Sequence, residues 1–323
     1  MNAQFPSSPQ VTVLLPVYNS VATLAEAVES ILSQSFRDFE LLVVNDGSTD
    51  GSLALLEQFS ARDSRMRVIS QENRGIVAAL NLGISEARGE FIARMDGDDI
   101  SYPERLFMQA ERLTQQPSLA LLGSFYVELP SGTRCSMPTG HSVVSRWLRD
   151  SGNAFVHSSV MMRTSVCRSL GGYRGVFPHC EDYDLWLRIV EKHQVDNMAE
   201  YLVGYRRHSA SISHRHLEQQ FLSAIAARRC AGLRRNGFSD PADSNPSITL
   251  EQLDQWGLRT DEVCRLMIEW LEWNRAALIN DTEAPEVSIE INRTLQKYRS
   301  MRAVIRQSGR DDRQKRTGSS ACY

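Results

Sequence analysis

Apolar residues recur along the first hundred positions in a pattern that predicts alternating strands and helices. Val11–Val17 and Phe39–Val44 are short aliphatic runs, typical of strands buried on both faces of a parallel sheet. Between these runs, Val21, Leu24 and Val28 recur at helical spacing after Ser20, a residue type that favours the N-cap. The alternation continues to residue 94 and predicts an α/β domain with a mainly parallel sheet and right-handed crossovers.

Later segments extend this domain and then change character. We predict strands at 67–70, 91–94, 119–129 and 155–163, and helices after residues 52, 75, 103 and 180. From Leu217 onward the apolar positions are helical, with a linker at 237–247 and helices over 250–278 and 286–307. The sequence therefore predicts an α/β domain at 1–215, a helical region at 216–310 and a disordered tail at 311–323.

Three polar segments follow predicted strands, and they carry the candidate chemistry. They are residues 16–19, 45–50 and 96–99. Ligands of open α/β sheets bind beyond the carboxyl ends of the strands, so these segments should line one crevice. The carboxylates of Asp96, Asp98 and Asp99 would repel one another unless a cation bound them, and their hard oxygens suit Mg²⁺ or Mn²⁺. An isolated Asp-Gly-Asp-Asp would more often be a solvated turn.

Composition and absent motifs exclude several classes of protein. The net charge of −3 gives no electrostatic argument for nucleic-acid binding. No apolar run approaches the ~20 residues that span a bilayer. The six cysteines form no CxxC pair, which predicts reduced thiols and a cytoplasmic protein. Neither the G-x-G-x-x-G nor the P-loop pattern is present, which disfavours dinucleotide dehydrogenases and P-loop enzymes.

Five motifs occur in order and identify a resemblance. They are Leu14–Asn19, Val43–Asp50, Glu72–Gly75, Asn81–Gly83 and Gly89–Asp99. Together they resemble the family 2 glycosyltransferases of the GT-A fold, over roughly residues 10–210. The resemblance implies a nucleotide-diphosphate sugar donor, with UDP as the expected nucleotide, and a Mn²⁺ or Mg²⁺ cofactor.

The resemblance also implies roles for residues of the first half. Metal ligands would be Asp98 and Asp96, with His208 as a further candidate, while Asp99 would support the loop. The expected contacts to the nucleotide sugar come from Pro16, Val17, Tyr18, Asn19, Asp46, Arg74, Asp96 and Gly97. A carboxylate such as Asp46 can accept a hydrogen bond from a uracil ring N–H, although a turn residue before Gly47 is the alternative.

Glu181 and Asp182 begin a predicted helix and are candidates for the acceptor side. A pair of acids at a helix start is favoured by the helix dipole in any protein. In the family, however, the aspartate of this pair is the general base, here Asp182, and Glu181 would position the acceptor. His157 matches a position that often faces the acceptor, and an ordinary hydrogen-bonded histidine is the alternative. We expect Asp184 to cap the helix or be solvated.

These features predict an inverting, metal-dependent glycosyltransferase that adds one sugar to a hydroxyl of a glycan or glycolipid, such as a cell-surface polysaccharide. The Q-x-x-R-W signature of processive synthases is absent. Arg206 or Arg207 could neutralise the leaving diphosphate. The helical region could form a homo-oligomer or touch the inner face of a membrane. Alternatives are a non-catalytic protein of the same fold that binds a nucleotide or a protein partner, and a nucleotidyltransferase, although the first loop lacks the glycine and basic residues of the latter.

Overall fold

In the computed structural model, which describes residues 8–207, 216–245, 247–280 and 285–318, nine strands of the described chain form one sheet. The strand order is β3-β2-β1-β4-β8-β6-β9-β5, with β7 paired to β6. The first four strands are parallel, and β8, β5 and β7 pair antiparallel with their neighbours. The strands are Val11–Val17 (β1), Phe39–Asp46 (β2), Met66–Gln71 (β3), Phe91–Arg94 (β4), Ile100–Ser101 (β5), Leu119–Leu129 (β6), Arg134–Cys135 (β7), Met161–Arg163 (β8) and Gln194–Arg206 (β9).

Helices connect these strands and cover the sheet. They are Val21–Leu32 (α1), Ser52–Ser60 (α2), Ile76–Glu86 (α3), Arg105–Gln115 (α4), His141–Asp150 (α5), Thr164–Ser169 (α6) and Glu181–Val190 (α7). Every residue of β1, β2 and β4 is buried, as expected for central strands covered on both faces. This arrangement confirms the predicted α/β fold with a mostly parallel sheet.

One local prediction is wrong and another is confirmed in position only, and side-chain hydrogen bonds explain both. Residues 155–163 were expected to be one strand, but His157–Ser159 is a 3-10 helix and only Met161–Arg163 is strand. The turn forms because the main-chain oxygen of Val156 accepts from both the backbone N–H and the hydroxyl of Ser159. Ser20 stands at the N-cap of α1 without a side-chain cap, and the Asp50 carboxylate accepts from the N–H of Val21 instead.

The chain divides into two units, Met1–Gly175 with Glu181–Arg207, and Val176–Cys180 with His208–Tyr323. The predicted boundary at residue 215 lies outside the described residues and stays a prediction. Helices of the second unit are Leu217–Arg235 (α8), Leu250–Gln255 (α9), Thr260–Asn280 (α10) and Pro285–Gly318 (α11), with a 3-10 helix at Pro241–Ser244. None of the helices in the described ranges combines the length and hydropathy that crossing a membrane requires.

The second unit is helical as predicted, and it differs from the prediction at the end of α11. Gly257, with φ +82°, separates α9 from α10 within residues 250–278, a segment that was predicted to be mostly helical. Helix α11 continues through 311–318, where disorder was expected, because arginine, glutamine and lysine favour the helix and no proline ends it. Within the unit, the rings of Phe221 and Trp270 pack with centroids 5.1 Å apart.

Candidate active site

The aspartate loop, residues 95–99, leaves β4 at its carboxyl end, and its first carboxylate is held from one side. Asp96 Oδ2 accepts hydrogen bonds from Arg94 Nη1 and from the Ser158 hydroxyl, the latter at 2.8 Å. The Ser158 hydroxyl also accepts from Arg94 Nη1 at 3.0 Å and from the Asp96 N–H at 3.2 Å. Both Arg94 and Ser158 are buried. The Asp96 side chain therefore has a fixed orientation, with no donor placed on Oδ1 by these two residues.

Arg206, at the end of β9, shapes the other end of the aspartate loop. Its N–H donates to Asp99 Oδ1 at 2.7 Å, and its Nε donates to the main-chain oxygen of Asp98 at 2.8 Å. Its Nη2 pairs with Glu26 of α1 at 2.6 Å. The sequence predicts a role in neutralising a diphosphate, but the described contacts of Arg206 hold the loop.

Asp99 carries the clearest sign that this loop accommodates a cation. Its side chain is buried, and Oδ2 has no hydrogen-bond partner among the described residues. Burial and the nearby charges of Asp96 and Asp98 raise the pKa of Asp99 to about 8. One carboxylate oxygen from each of the three aspartates lies within 4.8 Å of the others. This oxygen-only set fits a hard divalent cation, and it includes Asp99, which the sequence placed outside the metal ligands.

The loops after β1 and β2 interlock beside the aspartate loop. Asn19, with φ +49°, accepts through Oδ1 from the N–H groups of Thr49 and Asp50 at 2.8 and 3.3 Å. Thr23 of α1 donates to the main-chain oxygen of Gly97 at 2.8 Å. The expected meeting of the three polar segments at one edge of the sheet is therefore present. Pro16 and Val17 are buried in β1, which leaves Tyr18, 49% exposed, and Asn19 as the residues of this loop that face solvent.

Asp46 organises the loop that contains Arg74. Its Oδ1 accepts from Gln71 Nε2 at 2.6 Å and from the Arg74 N–H at 2.9 Å, and its Oδ2 accepts from the Gly75 N–H at 2.8 Å. Gly47, with φ +73°, permits this closure, because a Cβ there would lie 2.6 Å from the backbone nitrogen of Asn73. Asp46 is thus a buried anchor for residues 71–75, and the Arg74 residue itself is exposed.

A second pair of carboxylates stands in the first turn of α7. Glu181 is buried and its Oε2 has no hydrogen-bond partner within the described part of the chain. Burial, followed by the charge of Asp182, raises the pKa of Glu181 to about 7. Burial also raises the pKa of Asp182, although hydrogen bonds from the Tyr183 N–H and from Asn153 oppose this shift. Glu181 can therefore exchange a proton near neutral pH, and the adjacent Asp182 is a second carboxylate that could accept one.

Arg94 connects the two groups of carboxylates. Its guanidinium binds Asp96 directly and lowers the pKa of both Glu181 and Asp182 through its charge. The negative charge of Asp96 in turn raises the pKa of Glu181. Because such effects weaken with distance, the aspartate loop and the start of α7 share one site around Arg94. The sequence motifs do not indicate this role of Arg94, because its partner Ser158 lies far away in sequence.

His157 is packed into the wall of this site. Its Nε2 lies 2.9 Å from the Tyr173 hydroxyl, and its ring centroid is 5.9 Å from that of Trp186. Burial and the charge of Arg94 lower the pKa of His157 well below its ordinary value, so the ring is neutral. The Asn81–Gly83 motif has a structural role, because the Asn81 side chain forms two hydrogen bonds of 2.8 Å with the backbone of Tyr173.

The remaining residues for which the sequence predicts a role are Gly97, His208 and Asp184. Gly97 is buried, and a Cβ there would meet the Ser20 side chain at an ordinary 3.5 Å, so packing alone does not require glycine. His208 lies outside the described residues. Asp184 was expected to cap or be solvated, but it is fully buried and paired with Arg174 and Arg188. Arg188 reaches it because residues four apart share one face of a helix.

Comparisons with known proteins agree with this architecture. The model of the family described as Glycosyl transferase family 2 matches residues 12–171. The chain is 37% identical over 227 residues to the putative glycosyltransferase EpsE of Bacillus subtilis, covering 68% of this chain and 81% of the relative. It is 30% identical over 242 residues to the O-antigen biosynthesis glycosyltransferase WbnJ of Escherichia coli, covering 71% and 88%.

Solved structures share the fold at low sequence identity. S. aureus TarS 1-349 in complex with UDP-GlcNAc superposes with a TM-score of 0.57 at 20% identity, covering 90% of this chain and 92% of that one. The mannosyltransferase PcManGT from Pyrobaculum calidifontis, in complex with GDP-Man and Mn²⁺, gives a TM-score of 0.56 at 17% identity, covering 91% and 83%. These likenesses support the GT-A fold predicted for this chain.

Proposed function

Because the chain belongs to glycosyltransferase family 2, we propose that it transfers a single sugar from a UDP-sugar to a hydroxyl group of a glycan or glycolipid, with inversion at the anomeric carbon. The relation to WbnJ favours a cell-surface polysaccharide as the product. The UDP-GlcNAc bound to TarS favours UDP, while the GDP-Man bound to PcManGT keeps GDP as the second candidate nucleotide.

The observation that carries the proposal is the arrangement of two carboxylate groups around Arg94. On one side, Asp96, Asp98 and Asp99 would hold a divalent cation, Mn²⁺ or Mg²⁺, which supplies charge stabilisation for the leaving diphosphate when it is bound. On the other side, the pKa of Glu181 is raised to about 7, and burial also raises the pKa of Asp182. Inverting transfer needs these two functions on opposite sides of one sugar.

Asp182 is the proposed general base. As the acceptor oxygen forms its bond to the anomeric carbon, the bond between that carbon and the diphosphate oxygen breaks. The acceptor proton passes to an oxygen of Asp182, and the electron pair leaves with the nucleoside diphosphate. We propose that Glu181 binds the acceptor through its unpartnered Oε2. The packing of His157 against Tyr173 gives it a structural role, and a direct contact with the acceptor stays a prediction.

The loops at residues 16–19, 45–50 and 71–75 are the proposed site of the nucleoside. Asp46 Oδ2 accepts one described hydrogen bond and keeps a lone pair for a base N–H. Tyr18, Asn19 and Arg74 line the exposed side of these loops. The Gly97 backbone is the part of the aspartate loop that we propose to approach the donor.

Calorimetric titration of UDP in the presence of Mn²⁺ tests the donor site. We expect metal-dependent binding to the wild type and loss of that dependence in Asp98→Ala. Glu269→Ala, on an exposed pair of the helical unit, is the control and should bind as the wild type does. Failure to bind UDP, GDP and dTDP, each with and without Mn²⁺, would overturn the donor-site assignment and favour the non-catalytic alternative.

A further inference from the structure

Asn153, in the loop between α5 and the 3-10 helix at His157–Ser159, makes the one side-chain hydrogen bond to Asp182 that the described structure shows. Its Nδ2 donates to Asp182 Oδ2 at 2.8 Å. The other oxygen, Oδ1, accepts from the Tyr183 N–H at 2.6 Å. Each carboxylate oxygen has two lone pairs, so both oxygens keep one for a substrate. The sequence motifs give no indication of this residue, because it lies 29 positions before Asp182.

The orientation of the Asn153 amide is fixed by a second hydrogen bond. Its Oδ1 accepts from the Phe155 N–H at 3.1 Å, which requires the oxygen on that side and directs Nδ2 towards Asp182. Gly152, with φ +146°, turns the chain out of α5 just before this residue. Helix α5, which precedes this loop, is also tied to α7 independently of Asn153, because the Tyr183 hydroxyl donates to the main-chain oxygen of Leu148.

We propose that Asn153 is a positioning residue for the transfer reaction, which holds the carboxylate of Asp182 in place and favours its charged form. This inference rests on the proposed function of Asp182 as the base. A carboxylate must be ionised to accept the acceptor proton, and a donor aimed at it stabilises that form.

The charged and titratable groups around Asp182 explain why such a donor is useful. Glu181, the preceding residue on α7, is an adjacent acid, and burial of Asp182 itself disfavours ionisation. Tyr173 also faces the site, and its buried hydroxyl has a raised pKa and stays neutral. Arg94 from β4 is the cation that opposes these effects, but its guanidinium is already bonded to Asp96. Asn153 adds a neutral donor directly on Oδ2.

The titration of Asp182 can be followed without knowing the substrate. Protein labelled with ¹³C at aspartate side-chain carboxyl groups is titrated by NMR, and the Asp182 signal is assigned by its loss in Asp182→Asn. Asn153→Ala removes the donor. Asn153→Asp keeps an oxygen for the Phe155 N–H but replaces the donor by a negative charge. Tyr183→Phe removes the separate tether to Leu148 and is the matched control for a loosened loop.

We expect the pKa of Asp182 to rise by about one unit in Asn153→Ala, as the loss of a hydrogen bond to a charged group predicts. Asn153→Asp should raise it further, and Tyr183→Phe should leave it at the wild-type value. An unchanged pKa in both Asn153 variants, or an equal rise in Tyr183→Phe, would overturn the inference. The NMR titration needs neither turnover nor UDP. The inference about Asn153 can therefore fail while UDP binding succeeds, and UDP binding can fail while the inference holds.

Discussion

Replacing Ser158 by alanine removes the hydroxyl that holds Asp96, the first aspartate of the proposed cation site. This hydroxyl donates to Asp96 Oδ2 at 2.8 Å and accepts from Arg94 Nη1 at 3.0 Å and from the Asp96 N–H at 3.2 Å. Ser158 is fully buried, so water does not easily replace these bonds. The variant leaves Asp96 held by Arg94 alone.

The expected loss of stability in Ser158→Ala follows from the negative charge of Asp96, the group that the hydroxyl binds. A hydrogen bond to a charged group contributes about 1.5–3 kcal/mol, so Ser158→Ala should lower the free energy of unfolding by about 2 kcal/mol. Loss of a group that orients a metal ligand weakens metal affinity about 10-fold to 100-fold. Urea unfolding followed by circular dichroism measures the first effect, and calorimetric titration of UDP with Mn²⁺ measures the second.

Ser159→Ala is the matched control for this prediction. Ser159 is equally buried, but its hydroxyl donates to the main-chain oxygen of Val156 at 2.8 Å and makes no described contact with Asp96. It should lose stability while keeping the wild-type affinity for UDP and Mn²⁺. Wild-type affinity in a folded Ser158→Ala variant would refute the orienting role of Ser158.

Two other predictions concern the donor loops and the acid pair. Gly47→Ala places a Cβ 2.6 Å from the Asn73 backbone nitrogen. It should destabilise the protein by about 1–3 kcal/mol and abolish UDP binding. Wild-type affinity for UDP in this variant would contradict the need for loop closure. The pKa of Glu181 rises from 4.5 to about 7 on folding, so the folded state binds this proton more tightly and the associated stability is lost as pH increases across that window. Glu181→Gln should flatten the dependence of unfolding free energy on pH there, and an unchanged slope would contradict the assignment.

Much of the fold could be predicted from the sequence because the central strands are recognisable by themselves. The runs at Val11–Val17 and Phe39–Asp46 lie between parallel neighbours, and burial on both faces explains their continuous apolar character. The position of Asp96, Asp98 and Asp99 at the edge of the sheet also follows, because parallel strands place their carboxyl ends together.

The remaining features depend on contacts between residues that are distant in sequence. Ser158 reaches Asp96 across 62 positions, and its apolar neighbours resemble a strand, which concealed the 3-10 helix. Asp184 stands in a sequence that is typical of a solvated helix start, but it is buried and forms ion pairs with Arg174 and Arg188. No local sequence pattern reveals these contacts, because secondary-structure propensity describes a segment and not the distant residues that it contacts.

Arg206 has a consequence for the order in which the protein can mature during translation. The three aspartates leave the ribosome before β9 does, but Asp99 accepts a hydrogen bond from the N–H of Arg206, which lies 107 positions later. Strand β5, which follows the aspartates, pairs with β9 at Ile100 and Gly204. A nascent chain that has formed β1 to β4 therefore has the sheet and the loops proposed for the nucleoside, but its aspartate loop is shaped only after the end of β9 has been synthesised.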